Sequence, residues 1–221
     1  MPYPYAYTTR CLSPSVYHSL MASRPDWRKI AGKKINENNK RVDVPAVDSL
    51  EQSPPQIWKE FIEYHTSKAF YDVIIAKFGK HLKQYHPQYN FEKMKVGMRG
   101  RDVADIYLDC LVGINTPVKE KSTVSAPHLD HPKEVWAAML YMRDSEDFAG
   151  GDFVVNKLVK IPEEYGKRQI KDECVAPHNV INYEANYCVC FVNSPISVHE
   201  VTQREVTDKP RLLVNFVLEI A

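Results

Sequence analysis

Apolar residues recur at helical spacing in two stretches of the first half of the chain. Ile57, Trp58, Phe61, Ile62 and Tyr64 supply one face. Ser53-Pro54-Pro55-Gln56 in front of them predicts the helix start, with Ser53 as N-cap, Pro54 at N1 and Gln56 completing a capping box. Phe70, Tyr71, Ile74, Ile75, Phe78 and Leu82 form a second stripe, which predicts a helix from Thr66 or Ser67 to about Gln84. Both stripes are packing faces and need a flat apolar partner, such as a sheet. From about residue 100 the period changes to two. Ile106, Leu108, Cys110, Val112 and Ile114 alternate with mostly less apolar neighbours, so residues 105–114 are predicted to form a strand. Apolar runs at 135–143, 152–158, 187–192 and 212–218 predict further strands, with Gly150-Gly151 closing a turn before the second of these.

Short strands separated by Gly and Pro turns predict an all-β sandwich or barrel behind the helices. The expected organisation is a single domain over 1–221. Residues 1–99 form an irregular N-terminal segment and supporting helices, and 100–221 form the core. Residues 159–180, with Pro162, Pro177 and many charges, are expected to be a surface insertion. Residues 1–50 read as polar and irregular. They carry a basic stretch (Arg24, Arg28, Lys29, Lys33, Lys34, Lys40 and Arg41) around Trp27, which a solvated face explains better than a nucleic-acid contact.

Composition narrows the class. The chain has 221 residues, 44% of them hydrophobic and 26% charged, with a formal charge of +1. That balance offers no global attraction for nucleic acid or a membrane surface. Val135 to Met142 is the longest apolar run and is strand-sized, so no membrane span is expected. Met1-Pro2-Tyr3-Pro4-Tyr5 lacks the basic and apolar regions of a signal peptide. Five cysteines without CxxC spacing argue against a disulfide framework. A cytoplasmic monomer or homodimer is the expectation.

The candidate chemistry lies in Pro127-His128-Leu129-Asp130 and, far downstream, in His199 and Arg211. Chance readily produces a lone H-x-D. Along a strand, however, positions i and i+2 point the same way, so His128 and Asp130 can address one point. With His199 beyond the Asn193-Ser194-Pro195 turn, two imidazoles and one carboxylate make the facial triad of non-haem Fe(II) oxygenases. A guanidinium at the start of the last strand can hold a carboxylate through two parallel hydrogen bonds.

The order of H-x-D, Phe148-Ala149-Gly150-Gly151-Asp152-Phe153, His199-Glu200-Val201 and Arg211-Leu212-Leu213-Val214-Asn215-Phe216 resembles the 2-oxoglutarate- and Fe(II)-dependent dioxygenases. Within that superfamily it is most similar to the prolyl 4-hydroxylase-like branch, including microbial and phage members. The resemblance covers roughly residues 105–220. It implies a double-stranded β-helix, a jelly-roll or cupin-like barrel with helices packed on the larger sheet. It also implies Fe(II) held by His128, Asp130 and His199, with 2-oxoglutarate held by Arg211 and Arg204 as the rival anchor. Asn115 and Tyr107 are candidate contacts to that cosubstrate, and Tyr141, Arg143 and His178 are candidates for the substrate pocket. The implied reaction hydroxylates an unactivated C–H bond of a peptidyl proline or a small molecule, consumes O₂ and releases succinate and CO₂, with ascorbate as an optional reductant. No protein nucleophile or general base is required. His131, by alternation, points away from the metal, and His65, His81 and His86 belong to the helical half. Two other classes fit the same residues: a cupin-like metal protein of different chemistry, and a non-catalytic binding module using the basic N-terminal arm.

Overall fold

The computed structural model of the chain describes residues 2–162 and 168–221. Its elements run β1 (Tyr5–Thr8), α1 (Pro14–Ala22), α2 (Trp27–Ala31), β2 (Arg41–Val44), α3 (Ala46–Glu51), α4 (Gln56–His65) and α5 (Lys68–Tyr85). Then follow β3 (Val96–Met98), β4 (Ile106–Asn115), β5 (Glu134–Tyr141), β6 (Phe153–Leu158), β7 (Val175–Ile181), β8 (Cys188–Val192), β9 (His199–Val201) and β10 (Arg211–Ile220). A larger sheet has the order β1-β8-β5-β10-β4-β2, with β3 beside β4, and a smaller sheet has the order β7-β6-β9. The architecture is sheet-rich with helices on the larger sheet, as the jelly-roll expectation requires.

Alternation decides what each face of the larger sheet meets. Ile106, Leu108, Cys110, Val112 and Ile114 of β4, with Leu212, Val214, Phe216 and Leu218 of β10, pack against Trp58, Phe61, Ile62, Tyr71, Ile74, Phe78 and Leu82 of α4 and α5. The apolar stripes of the two helices are therefore the cover of the sheet. On the opposite face Ala137, Tyr141, Val189, Phe191 and Leu213 meet Phe153, Val155 and Ile181 of the smaller sheet. The candidate chemistry lies on this inner side.

The boundaries differ from the expectation in three places. Ser53 does not cap α4: it has φ +51°, and the helix starts at Gln56 after Pro55, with no side-chain cap. Ser67 does cap α5, its hydroxyl accepting from the Phe70 amide at 3.3 Å. The N-terminal segment is not irregular throughout, because β1 and β2 extend the two edges of the larger sheet and β3 pairs with β4. Nor is the 159–180 stretch wholly an insertion. Val175–Ile181 pairs antiparallel with β6, and its exposed positions gave a polar, Pro-containing pattern that concealed the strand. Residues 163–167 of that stretch lie outside the described residues. Among the described residues no helix is long and apolar enough to cross a membrane.

Candidate functional site

His128 does not sit in a regular strand. It forms an isolated antiparallel bridge with His199, the first residue of β9, in which each amide donates to the other's carbonyl at 2.9 and 3.1 Å. The bridge sets the two imidazoles side by side, with ring centroids 4.3 Å apart. Asp130 comes from the segment following His128 and brings its Oδ1 to 3.7 Å from His128 Nε2 and 3.5 Å from His199 Nε2. One ligand atom from each of the three residues lies within 4.8 Å of the others. Small rotations bring such a set onto a single ion.

The orientation of the rings suits a metal. His199 Nδ1 lies 2.9 Å from the Ser197 carbonyl, and His128 Nδ1 lies 2.9 Å from the Ala126 carbonyl and 2.7 Å from Ser125 Oγ. Each Nδ1 thus has an acceptor within reach, which leaves both Nε2 atoms facing the Asp130 side chain. The Asn193-Ser194-Pro195 turn holds that acceptor in place. Asn193 Nδ2 donates to the carbonyls of His131 and Glu134, and Ser197 Oγ donates to Asn193 Oδ1. Phe153 stacks on His199 at 5.1 Å, and Phe191 lies 4.7 Å from it.

Burial sets the charge states against one another. It pulls the His199 pKa down, but the Asp130 carboxylate outweighs it and holds the imidazole above its ordinary value. Burial would raise Asp130, yet His199, then His128, bring it below the usual carboxylate range. His128, desolvated and repelled by His199, is pushed down to about 4 and is neutral at physiological pH. A neutral imidazole and an ionised carboxylate are the forms that bind a divalent cation.

A cleft of about 230 Å³ has the triad on its wall and Arg211 and Asn115 at one end. Arg211 opens β10 and is paired in register with Asn115, the last residue of β4. The guanidinium is buried between the rings of Tyr141 and Tyr183, 5.1 and 4.8 Å from their centroids. Its Nε donates to the Gly151 carbonyl at 3.1 Å, and one terminal nitrogen lies 3.5 Å from Asn115 Oδ1. The other terminal nitrogen of Arg211 and Nδ2 of Asn115 are buried with no partner among the described residues. Burial lowers the Arg211 pKa from a very high starting value, so the group remains a cation with free donors. Gly151 is required here: its φ is +96°, and a Cβ would come within 3.0 Å of Arg211 Nε and of Arg204 Cδ.

The remaining candidates separate cleanly. Arg204 is fully buried, but one of its terminal nitrogens donates to both oxygens of Asp147 at 2.7 Å, so it already has a carboxylate. Tyr141 packs against Arg211 from β5, and burial raises its hydroxyl to about 12. Tyr107 does not line the cleft, and its hydroxyl accepts from the Ala104 amide at 3.4 Å. Arg143 is not a pocket residue either. It leaves the strand end to pair with Glu184 at 2.8 Å and to cover the Phe148 ring. His178 is exposed on β7 with its ring edge toward Tyr5, away from the triad.

Sequence reasoning missed Tyr183, Ser125 and Glu134. Tyr183 forms the second ring around Arg211, its hydroxyl accepting from the Leu212 amide at 2.7 Å. Glu134 opens β5 and lines the cleft, where burial, then the nearby Asp130, raises its carboxyl to about 7. Only its place four residues after Asp130 hinted at this.

No family model and no curated protein matches the sequence. Solved structures do match. A Pseudomonas putida prolyl-4-hydroxylase superposes with a TM-score of 0.55 at 10% identity, covering 99% of this chain and 94% of its own. A Trichoplax adhaerens prolyl hydroxylase, in complex with a hypoxia inducible factor peptide fragment, gives 0.56 at 12% identity, covering 98% and 83%. The non-heme α-ketoglutarate-dependent epimerase SnoN from nogalamycin biosynthesis gives 0.56 at 15% identity, covering 98% and 76%. The chain shares its fold with these prolyl hydroxylases and with SnoN.

Proposed function

We propose that the protein is an Fe(II)- and 2-oxoglutarate-dependent dioxygenase that hydroxylates an unactivated C–H bond of a peptide or small molecule. The observation that carries this reading is one cleft with two ends. At one point on its wall are two imidazoles and a carboxylate. Beside Arg211 and Asn115 are a buried guanidinium nitrogen and an amide nitrogen that have no partner among the described residues. Free buried donors cost energy unless a ligand accepts from them, and a dicarboxylate reaching from the metal to Arg211 would do so. Ferrous iron with 2-oxoglutarate and O₂ supplies the oxidation, releasing succinate and CO₂.

The chain's own residues bind and orient. His128, Asp130 and His199 would hold the ion, and three protein ligands would leave room for cosubstrate and O₂. Arg211 takes the distal carboxylate of 2-oxoglutarate, and Asn115 adds a donor beside it. Tyr141 and Tyr183 shield that ion pair from water, where it is stronger than in solution. Phe153 and Phe191 keep the wall beside His199 apolar. The same donor set could serve an epimerisation such as SnoN's name describes, so the test must follow the product. Purified protein with Fe(II), O₂ and 2-oxoglutarate should form succinate, and His199→Ala should abolish both that and metal-dependent 2-oxoglutarate binding. Succinate formation by the variant would sink the assignment.

A further inference from the structure

His86 caps the C-terminal end of α5 and is buried, although it does not line the cleft. Its Nε2 lies 2.7 Å from the Asn193 carbonyl, 107 positions away in sequence. A carbonyl only accepts, so Nε2 carries the proton and donates. Burial lowers the His86 pKa, and the ring is neutral at physiological pH. Every polar group of Asn193 is then engaged. Its amide donates to the Val135 carbonyl at 3.0 Å, and its carbonyl accepts from His86. Nδ2 donates to the carbonyls of His131 at 3.1 Å and Glu134 at 2.7 Å, while Oδ1 accepts from Ser197 Oγ at 2.8 Å. Ser197 in turn offers its carbonyl to His199 Nδ1 at 2.9 Å. Asn193 and Ser197 are both buried, which keeps water from competing for these bonds.

One carboxamide thus reaches both segments that meet at the triad. On one side it holds His131, the residue after Asp130, and on the other it acts through Ser197 on His199. Resting on the dioxygenase reading of the site, we propose that His86 and Asn193 are positioning residues of the metal centre. Asn193 ties the Asp130 segment to the His199 segment, and the His86 Nε2 proton fixes that tie to the end of α5. The helical half would then do more than cover the larger sheet, since one of its side chains sets the spacing of two ligands. Partners of this kind typically carry tenfold to a hundredfold in metal affinity, because they hold the ligand atoms where the ion needs them. The network also demands an amide at 193. An aspartate would keep an oxygen for Ser197 but would turn its other oxygen toward two carbonyls, and even when protonated it could donate to only one.

The test reads metal binding rather than turnover. Wild type, His86→Phe, His86→Gln and Asn193→Asp are first checked for a cooperative melting transition and then titrated calorimetrically with Mn(II) in the presence of 2-oxoglutarate. His86→Phe should weaken Mn(II) binding by about tenfold or more. His86→Gln, whose side-chain nitrogen can donate from the Nε2 position, should restore most of it. Asn193→Asp should also weaken binding, although an added carboxylate near a cation would by charge alone strengthen it. Wild-type affinity in His86→Phe, equal losses in His86→Phe and His86→Gln, or unchanged or tighter binding in Asn193→Asp would each overturn the proposal. Where a variant lacks the melting transition, Ser197→Ala takes its place, because it removes a single hydroxyl from the same chain of bonds. It should weaken binding likewise, and wild-type affinity there would overturn the proposal too. Absence of Mn(II) binding from the wild type defeats the underlying reading of the triad instead.

Discussion

At the scale of single residues, two arginines of the same composition and similar burial have opposite situations. Arg204 and Arg211 are both almost without solvent exposure, at 0% and 1%. Arg204 has a carboxylate, Asp147, although its Nε and other terminal nitrogen are unpartnered among the described residues, whereas Arg211 has no carboxylate and lines the cleft. Arg211→Lys should therefore raise the apparent Kd for 2-oxoglutarate, because an ammonium cannot bridge two carboxylate oxygens, Asn115 and the Gly151 carbonyl together. Loss of one charge-assisted hydrogen bond is worth about 1.5–3 kcal/mol, or roughly tenfold or more in affinity. Calorimetric titration with Mn(II) present measures it, and an unchanged Kd would remove Arg211 from the role. Spacing alone left both arginines open as anchors. What separates them is a carboxylate 57 positions away from Arg204 in sequence.

Whole elements were legible to different degrees. α5 could be read from its stripe and its Ser67 cap, and β4 from its alternation, because both signals reside in consecutive residues. β1, β2 and β7 could not. Each is an edge strand, β1 and β2 of four residues and β7 of seven, with much of its side-chain surface in solvent, so its pattern stays polar. α4 carries a further consequence. His65 at its last turn packs among Phe61, Phe70 and Phe216, with ring centroids 4.2–4.7 Å away. Burial holds its folded pKa down at about 4, against 6.5 for a free imidazole. Between those values the unfolded chain binds a proton that the folded chain does not, so stability falls as pH drops from 6.5 towards 4. His86, also lowered by burial, acts in the same direction. The melting temperature should decline across this window, and His65→Phe should flatten the decline. An identical slope in the variant would exclude His65 as its source.

Across the whole molecule, the site exists because connections from both sheets are tied together. Asp147 lies between β5 and β6, and Arg204 lies between β9 and β10, each fully buried. Their pair closes the loops behind Arg211, and Gly150 bridges to Arg204 in the same place. Asp147→Ala would leave the guanidinium buried without its carboxylate, a change that typically costs about 3–5 kcal/mol. Urea unfolding should register that loss, and a decrease below about 1 kcal/mol would mean that water or rearrangement replaces the pair.

The sequence by itself determined the helical cover, the central strands and the order of His128, Asp130, His199 and Arg211. Periodicity and local motif are properties of neighbouring residues, and the chain states them directly. Tertiary structure alone decided the rest. It brought His128 and His199 into one bridge, set Tyr107, Arg143 and His178 off the cleft wall, and gave Arg204 a carboxylate but Arg211 none. Those outcomes depend on strand register and on which buried charges meet. Neither is encoded in the spacing between any two of the residues involved.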